Sequence, residues 1–369
     1  MQDLAHLPAL VAWCAFALAV VFGAVANRVN FCTMGAVTDL LMMGDWRRMR
    51  MWLLAIAVAI AGATWLETSG VADLGKSIYT TPRVAWLSHL VGGFVFGFGM
   101  TLASGCGSKL LVRAGAGNLK SMVTLIVLAI AAYMTLKGLF AVWRVHTLDT
   151  LHLDTSEFGA MRSDLGSVVT ALSGGRSIKV ALSLAIAVGL AAFALLSRDF
   201  REQREMIVGG LIIGAVIVAG WYVTGHLGHV AEDPRTLEEA FIGTTSGRPE
   251  SYSFVAPVAY LLELLLLWSD QSRVVTFGVA GVLGMAVGSA TMALATRTFR
   301  WEGFASTEDL VNHIVGGLLM GFGGVCALGC TIGQGLTGIS TLAIGSFIAV
   351  GAIVAGSATA LKYQYWRAA

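Results

Sequence analysis

The sequence predicts an all-α polytopic membrane protein, and three observations carry that expectation. Only 12% of the 369 residues are charged, about half the roughly 25% of a soluble domain. Mean hydropathy is +0.77. Apolar stretches of about 20 residues recur along the chain, the length that crosses roughly 30 Å of hydrocarbon. The 45 glycines agree with this, because small residues let membrane helices approach closely.

In order, spans are expected at 8–26, 51–66, 84–102, 121–143, 177–196, 206–224, 252–268, 274–295 and 312–328, with a Gly-rich stretch at 338–360, giving nine or ten crossings. The first span follows MQDLAH, which lacks the basic start of a cleavable signal peptide. Net charge is +2 and says little about partners; no nucleic-acid partner is expected. No GxxxxGK[ST] run occurs, so ATP hydrolysis by this chain is not expected.

Basic clusters set orientation. Arg47, Arg48 and Arg50 precede the second span, Lys109, Arg113 and Lys120 the fourth, and Arg198, Arg201 and Arg204 separate the fifth and sixth. The intervening connections 144–176 and 225–250 are rich in acids such as Asp149, Glu157, Glu232 and Glu250. The positive-inside rule places the basic loops in the cytoplasm. Arg297 and Arg300 fit this alternation poorly.

An internal repeat is the most informative feature. HLVGGFVFGFGMTLASGC (89–106) and HIVGGLLMGFGGVCALGC (313–330) are identical at ten of 18 positions with a constant offset of 224. Secondary transporters are often built from two such repeats, with broken helices meeting at a midplane site. The sequence therefore reads as one membrane-embedded transport domain over 1–369. Repeat 1 covers about 8–143, connecting helices about 177–268, and repeat 2 about 274–360. Gly93/Gly97 and Gly317/Gly321 are small-xxx-small pairs that read as helix packing. Each copy ends in Gly-Cys, Gly105-Cys106 and Gly329-Cys330, followed by Gly107 and Ser108 or by Thr331, Gly333 and Gln334. That pattern reads as a helix ended by glycine, a turn, and a new half-helix. Irregular backbone at membrane depth survives only inside protein or along a cavity. The new half-helix would aim free N–H groups at that cavity, which suits an anion.

The five cysteines are an odd number, all in or beside apolar segments, and do not read as a disulfide framework. Cys14 and Cys326 read as small packing residues. Cys106 and Cys330 read as functional, because they share one place in both repeats. Cys32, within NRVNFCTMGAVTD, sits at a polar interruption that reads as a third re-entrant turn. His89 and His313 lie 17 residues before the repeat cysteines, about 25 Å along a continuous helix, and read as packing residues. Glu263, inside YLLELLLLW, reads either as a proton-coupling group or as half of a structural ion pair. Trp52, Trp86, Trp268 and Trp366 fit interfacial belts. The 14 methionines show no metal-relay spacing; no metal or cofactor is expected.

The elements Asn30-Phe31-Cys32, Ser104-Gly105-Cys106-Gly107, Arg300-Trp301-Glu302-Gly303-Phe304 and Gly329-Cys330-Thr331-Ile332-Gly333-Gln334-Gly335-Leu336 resemble the YeeE/YedE family of bacterial inner-membrane sulfur transporters, which includes thiosulfate importers. The resemblance spans most of the chain in order. It implies about nine membrane-spanning helices plus several short re-entrant ones around an hourglass-shaped path. It further implies that Cys32, Cys106 and Cys330 pass thiosulfate along the constriction, and that a small TusA-like sulfur-relay protein serves as cytoplasmic partner. No such domain is expected within this sequence.

A dianion leaving water needs donors that do not trap it. A desolvated Lys or Arg would hold it strongly, whereas thiols are weak donors and a helix end carries only a fraction of a charge. The expected function is import of thiosulfate along Cys32, Cys106, Cys330 and the half-helix N-termini, without enzymatic chemistry. Another sulfur or selenium species is the nearest alternative. A thiol oxidoreductase lacks a CxxC pair, and a soft-metal channel lacks clustered His and Met. Labelled-anion uptake, quinone-linked thiol oxidation and metal content separate these readings.

Overall fold

The computed structural model describes residues 2–173, 178–233, 236–270 and 273–368. Parts of the two acid-rich connections, 174–176 and 234–235, and residue 177 at the start of the fifth expected span lie outside the described residues.

The chain is an all-α polytopic membrane protein. Its helices, in order, are α1 (Gln2–Arg28), α2 (Thr33–Thr38), α3 (Arg47–Thr68), α4 (Trp86–Leu102), α5 (Gly107–Gly115), α6 (Leu119–Lys137), α7 (Leu139–His146), α8 (Leu165–Leu172), α9 (Lys179–Leu195), α10 (Arg198–Arg201), α11 (Arg204–Tyr222), α12 (Ala256–Leu266), α13 (Phe277–Ala295), α14 (Thr307–Cys326) and α15 (Ile344–Ala368). Among the described residues, strand is confined to two short pairs, 83–84 with 153–154 and 229–230 with 240–241.

Eight helical stretches among the described residues are long and apolar enough to cross a bilayer, and α9 and α12 are shorter apolar helices. The 17 residues of α9 reach about 25 Å, which gives nine crossings among the described residues. The 11 residues of α12 reach only about 16 Å, so the span expected at 252–268 is a half-crossing. Hydropathy alone cannot separate the two, because both are equally apolar. The expected span 121–143 likewise breaks at Gly138, where the chain turns from α6 into α7. The final stretch splits into a π-helical turn over Gly333–Gly338 and α15.

The two helices that carry the repeated segment cross each other at the centre. A β-carbon on Gly92 would stand 2.7 Å from the Gly323 carbonyl oxygen, and one on Gly99 would stand 2.8 Å from that of Gly316. Since Gly92 faces Gly323 while Gly99 faces Gly316, α4 and α14 run antiparallel. The small-xxx-small glycines face outward from this crossing to other helices. Gly93 packs on Ala349 and Ala352 of α15, and Gly317 packs on Thr124 and Val127 of α6. Each repeat helix is thus clasped by a helix from the other half of the chain.

Several polar residues serve packing. His89 and His313 are buried, each ring Nδ1 at 2.8 Å from the carbonyl four residues earlier. Glu263 is held by Lys137 (2.8 Å) and Arg273 (3.0 Å), the structural ion-pair reading of that intramembrane carboxylate. Trp86, Trp268 and Trp366 are exposed as an interfacial belt requires, but Trp52 is only 6% exposed and lies against Gly335. The expected belt role of Trp52 is therefore corrected to core packing.

Candidate functional site

The three cysteines singled out in the sequence occupy the same local structure three times. In each case a helix ends on a left-handed residue two positions before the cysteine: Asn30 (φ 52°), Ser104 (φ 55°) and Leu328 (φ 57°). The next residue then donates its N–H back across the helix end: Phe31 to Ala26 O (3.0 Å), Gly105 to Met100 O (2.8 Å) and Gly329 to Gly324 O (2.8 Å). This hydrogen-bond pattern is the Schellman helix end. The cysteine carbonyl next accepts the first bond of a new helical segment, from Ala36, Leu110 and Gln334 respectively. Gly105 and Gly329 sit one residue after the left-handed position, so each helix ends at Ser104 or Leu328 and the glycine belongs to the turn. Ser104 and Leu328 accept the conformation because the back-bond at the helix end offsets its local cost.

Each thiol consequently lies at the N-terminal end of a new helical segment. Cys32 Sγ accepts from the Gly35 N–H (3.3 Å), Cys330 Sγ from the Gly333 N–H (3.5 Å), and Cys106 Sγ lies 3.3 Å from Ser108 Oγ. Cys32, Cys106 and Thr331 lie near one another, and the Thr331 hydroxyl has no hydrogen-bond partner. Cys106, Cys330 and Thr331 are each at most 1% exposed. All five cysteines are free thiols.

Two cavities approach this buried cluster. The larger, ≈640 Å³, is lined by Asn30, Cys32, Ser104 and five cations, Arg28, Arg48, Lys109, Arg113 and Arg300, against the single acid Glu302. The smaller, ≈210 Å³, is lined by Tyr79, Arg144, Glu250, Ser253, Tyr260 and Gly329 among others. Gly278, near the start of α13, borders the smaller cavity, and Thr296, just past its end, borders the larger. Eighteen helical residues separate them, about 27 Å, so the cavities open toward opposite ends of a membrane-spanning helix. Arg300 lies with Lys109 and Arg113 because the 300–302 segment bonds the α5–α6 turn (Leu119 N–H to Glu302 O, 2.9 Å). Its poor fit to the charge alternation thus disappears in the folded chain.

Among the described residues, three buried side-chain polar atoms lack any partner, Thr33 Oγ1, Thr331 Oγ1 and Trp52 Nε1, while Arg144 Nε makes no hydrogen bond but is ion-paired with Asp149 at 3.2 Å. Thr33 and Thr331 follow Cys32 and Cys330 directly, and Arg144 lines the smaller cavity. Gln334 behaves differently, since its amide is already engaged by the Ala327 carbonyl and by Ser346 (2.5 Å). That bracing fixes the break between α14 and the π-helical turn. Thr33, Lys109, Arg144 and Glu250 are not among the expected site residues: Lys109 marks orientation in the sequence and Glu250 one acid-rich connection. A repeated Cys-Thr dipeptide was the one available signal for Thr33.

The pattern of proteins described as sulphur transport matches residues 28–359 of this chain. The chain belongs to the sulphur-transport family. Within this family, it is 26% identical to the thiosulfate transporter TsuA of Escherichia coli (strain K12), over 94% of this chain and 92% of that protein. It is 23% identical to the thiosulfate transporter TsuA of Spirochaeta thermophila, over 91% and 94% of the two chains. In this sulphur-transport protein, one cavity borders Cys32 and Ser104 and the other borders Leu328 and Gly329.

Proposed function

We propose that this protein imports thiosulfate across the bacterial inner membrane, without enzymatic chemistry, through a path lined by Cys32, Cys106 and Cys330. The observation that carries this reading is the set of orphaned donors at the path. A buried polar group without a partner costs about 1–3 kcal/mol, and Thr33 and Thr331 sit beside two of the three path cysteines. A passing anion supplies the missing acceptors. The names of the two relatives support thiosulfate as that anion.

In this reading the constriction holds no charged side chain among the described residues. Cys106, Cys330 and Thr331 offer side-chain donors, joined by N–H groups at Gly107 and Ser108; the Gly333 N–H holds Cys330 Sγ, while Gly105, Gly329 and Gln334 shape the breaks. Lys109 stands at the lip, its Nζ donating to Asn30 Oδ1 (2.9 Å). The strong cations are thus in the wide cavity, where solvent screening weakens their hold. By the positive-inside rule that cavity faces the cytoplasm and collects the anion there. Repeat 1 (about 8–143) and repeat 2 (about 274–360), joined by about 177–268, act as two inverted halves of one transport domain. The antiparallel crossing of α4 and α14 supports this. A TusA-like relay protein as cytoplasmic partner rests on the family resemblance alone.

The test is labelled thiosulfate uptake by cells lacking their own importers. Cys106→Ser and Cys330→Ser should retain part of the uptake, because a hydroxyl still donates, and Cys106→Ala and Cys330→Ala should retain little. Equal loss from serine and alanine would argue for covalent sulfur chemistry instead. Full uptake by the alanine variants would remove the cysteines from the path.

A further inference from the structure

The smaller cavity places a carboxylate where an anion has to pass. Glu250 lines it together with Tyr79, Arg144 and Tyr260, and its wall reaches Gly329, the residue bonded to Cys330. The Glu250 backbone is pinned on both sides by Thr224 Oγ1, which donates to its carbonyl (2.6 Å) and accepts from its N–H (3.1 Å). The side chain is also held, accepting from the Thr245 N–H (3.3 Å) and from Ser246 Oγ (3.0 Å). These bonds keep the carboxyl group at the cavity wall.

No ion pair neutralises it among the described residues. Arg144, the one cation among the described lining residues, faces Asp149 (Nε to Oδ2, 3.2 Å). The other titratable groups facing Glu250 are phenols: Tyr79, from the segment before α4, and Tyr260 of α12. Behind Tyr260 lies Glu263, paired with Lys137 and Arg273, and beyond Tyr79 lies Cys330. A charged Glu250 would therefore repel a dianion across a confined space, where such repulsion is poorly screened. Burial pushes the Glu250 carboxyl up to about 7, so it changes charge within the physiological range. Below that value it is neutral; above it, it carries a full negative charge.

We propose that Glu250 is a protonation gate on the outer vestibule: with its carboxyl neutral the dianion enters toward Cys330, and with its carboxylate charged the vestibule excludes it. The proton stays on Glu250 throughout, so none is carried across. The proposal rests on the reading of this cavity as the anion's entrance.

The experiment uses the full chain reconstituted in liposomes, with equal pH inside and outside, and labelled thiosulfate below saturation. Uptake by the native protein is expected to be level at acidic pH and to fall about tenfold per pH unit above the midpoint, as the neutral fraction does. Glu250→Gln, which keeps the shape and cannot ionise, should stay open at alkaline pH. Glu250→Asp, which still ionises, should retain the alkaline fall. An unchanged pH profile in Glu250→Gln would overturn the proposal, as would level uptake by the native protein. A Glu250→Gln protein that elutes like native yet is closed at every pH would overturn it too, since a neutral isostere must be open. Absence of uptake by the native protein at all pH values would instead refute the transport reading on which the gate depends.

Discussion

Replacing Gly316 by alanine probes the crossing that places the two repeat cysteines. The new β-carbon would stand 2.7 Å from the Gly99 carbonyl oxygen and 2.8 Å from both the nitrogen and the β-carbon of Ala103. None of these atoms belongs to a flexible side chain, so nothing can rotate away. Restoring ordinary contact requires α4 and α14 to separate by about 0.7 Å or more. Alanine gains up to about 1 kcal/mol over glycine within a helix, whereas overpacking a fitted contact costs about 1–3 kcal/mol. The backbone character of the clash puts this case at the upper end, for a net loss of about 1–2 kcal/mol. Uptake should fall as well, because α4 leads directly to Cys106 and α14 to Cys330. The assay is denaturant or thermal unfolding in detergent, paired with thiosulfate uptake. Gly351→Ala is the control: it lies on α15 with nothing within 4 Å of the added carbon and should be neutral or slightly stabilising. Gly99→Ala meets Gly316 across the same contact and should resemble Gly316→Ala. The double variant should cost less than the sum, because helices already separated have room for both methyls. Native-like unfolding and uptake by Gly316→Ala would refute the crossing as the element that positions the cysteines.

Two further outcomes are expected. Thr331→Val and Thr33→Val should leave unfolding unchanged or slightly stabilised, since each removes an unpartnered buried hydroxyl, while lowering uptake about tenfold, the worth of one hydrogen bond of roughly 1.4 kcal/mol; unchanged uptake would remove these hydroxyls from the path. Glu263→Gln should destabilise by about 1–2 kcal/mol in the same unfolding assay, less than the 3–5 of a fully buried pair because its two cations are partly solvated, and should leave the pH profile of uptake untouched; a changed profile would return Glu263 to proton coupling.

Much of this protein is determined locally, and local features are legible in sequence. Crossing segments follow from hydropathy, because lipid penalises an exposed backbone wherever it occurs. The breaks at Cys32, Cys106 and Cys330 follow from short polar or glycine-rich interruptions, since a helix end is decided within about one turn. The repeat at offset 224 pointed to Cys106 and Cys330 without any knowledge of their partners. Only tertiary structure decided which segments meet. That Gly92 opposes Gly323 while Gly93 opposes α15 depends on which helix arrives at each face, and glycine is the same letter for every partner. Trp52 is apolar enough for belt or core, and Gly335 settled it. Arg300 reads as misplaced until the 300–302 segment folds back onto the α5–α6 turn. Glu250 is one acid among several in an exposed-looking connection, and only the approach of Tyr79, Arg144 and Tyr260 from three other segments makes it part of a cavity. Helix formation and bilayer insertion are settled by neighbours in the chain; the path is settled by neighbours in space.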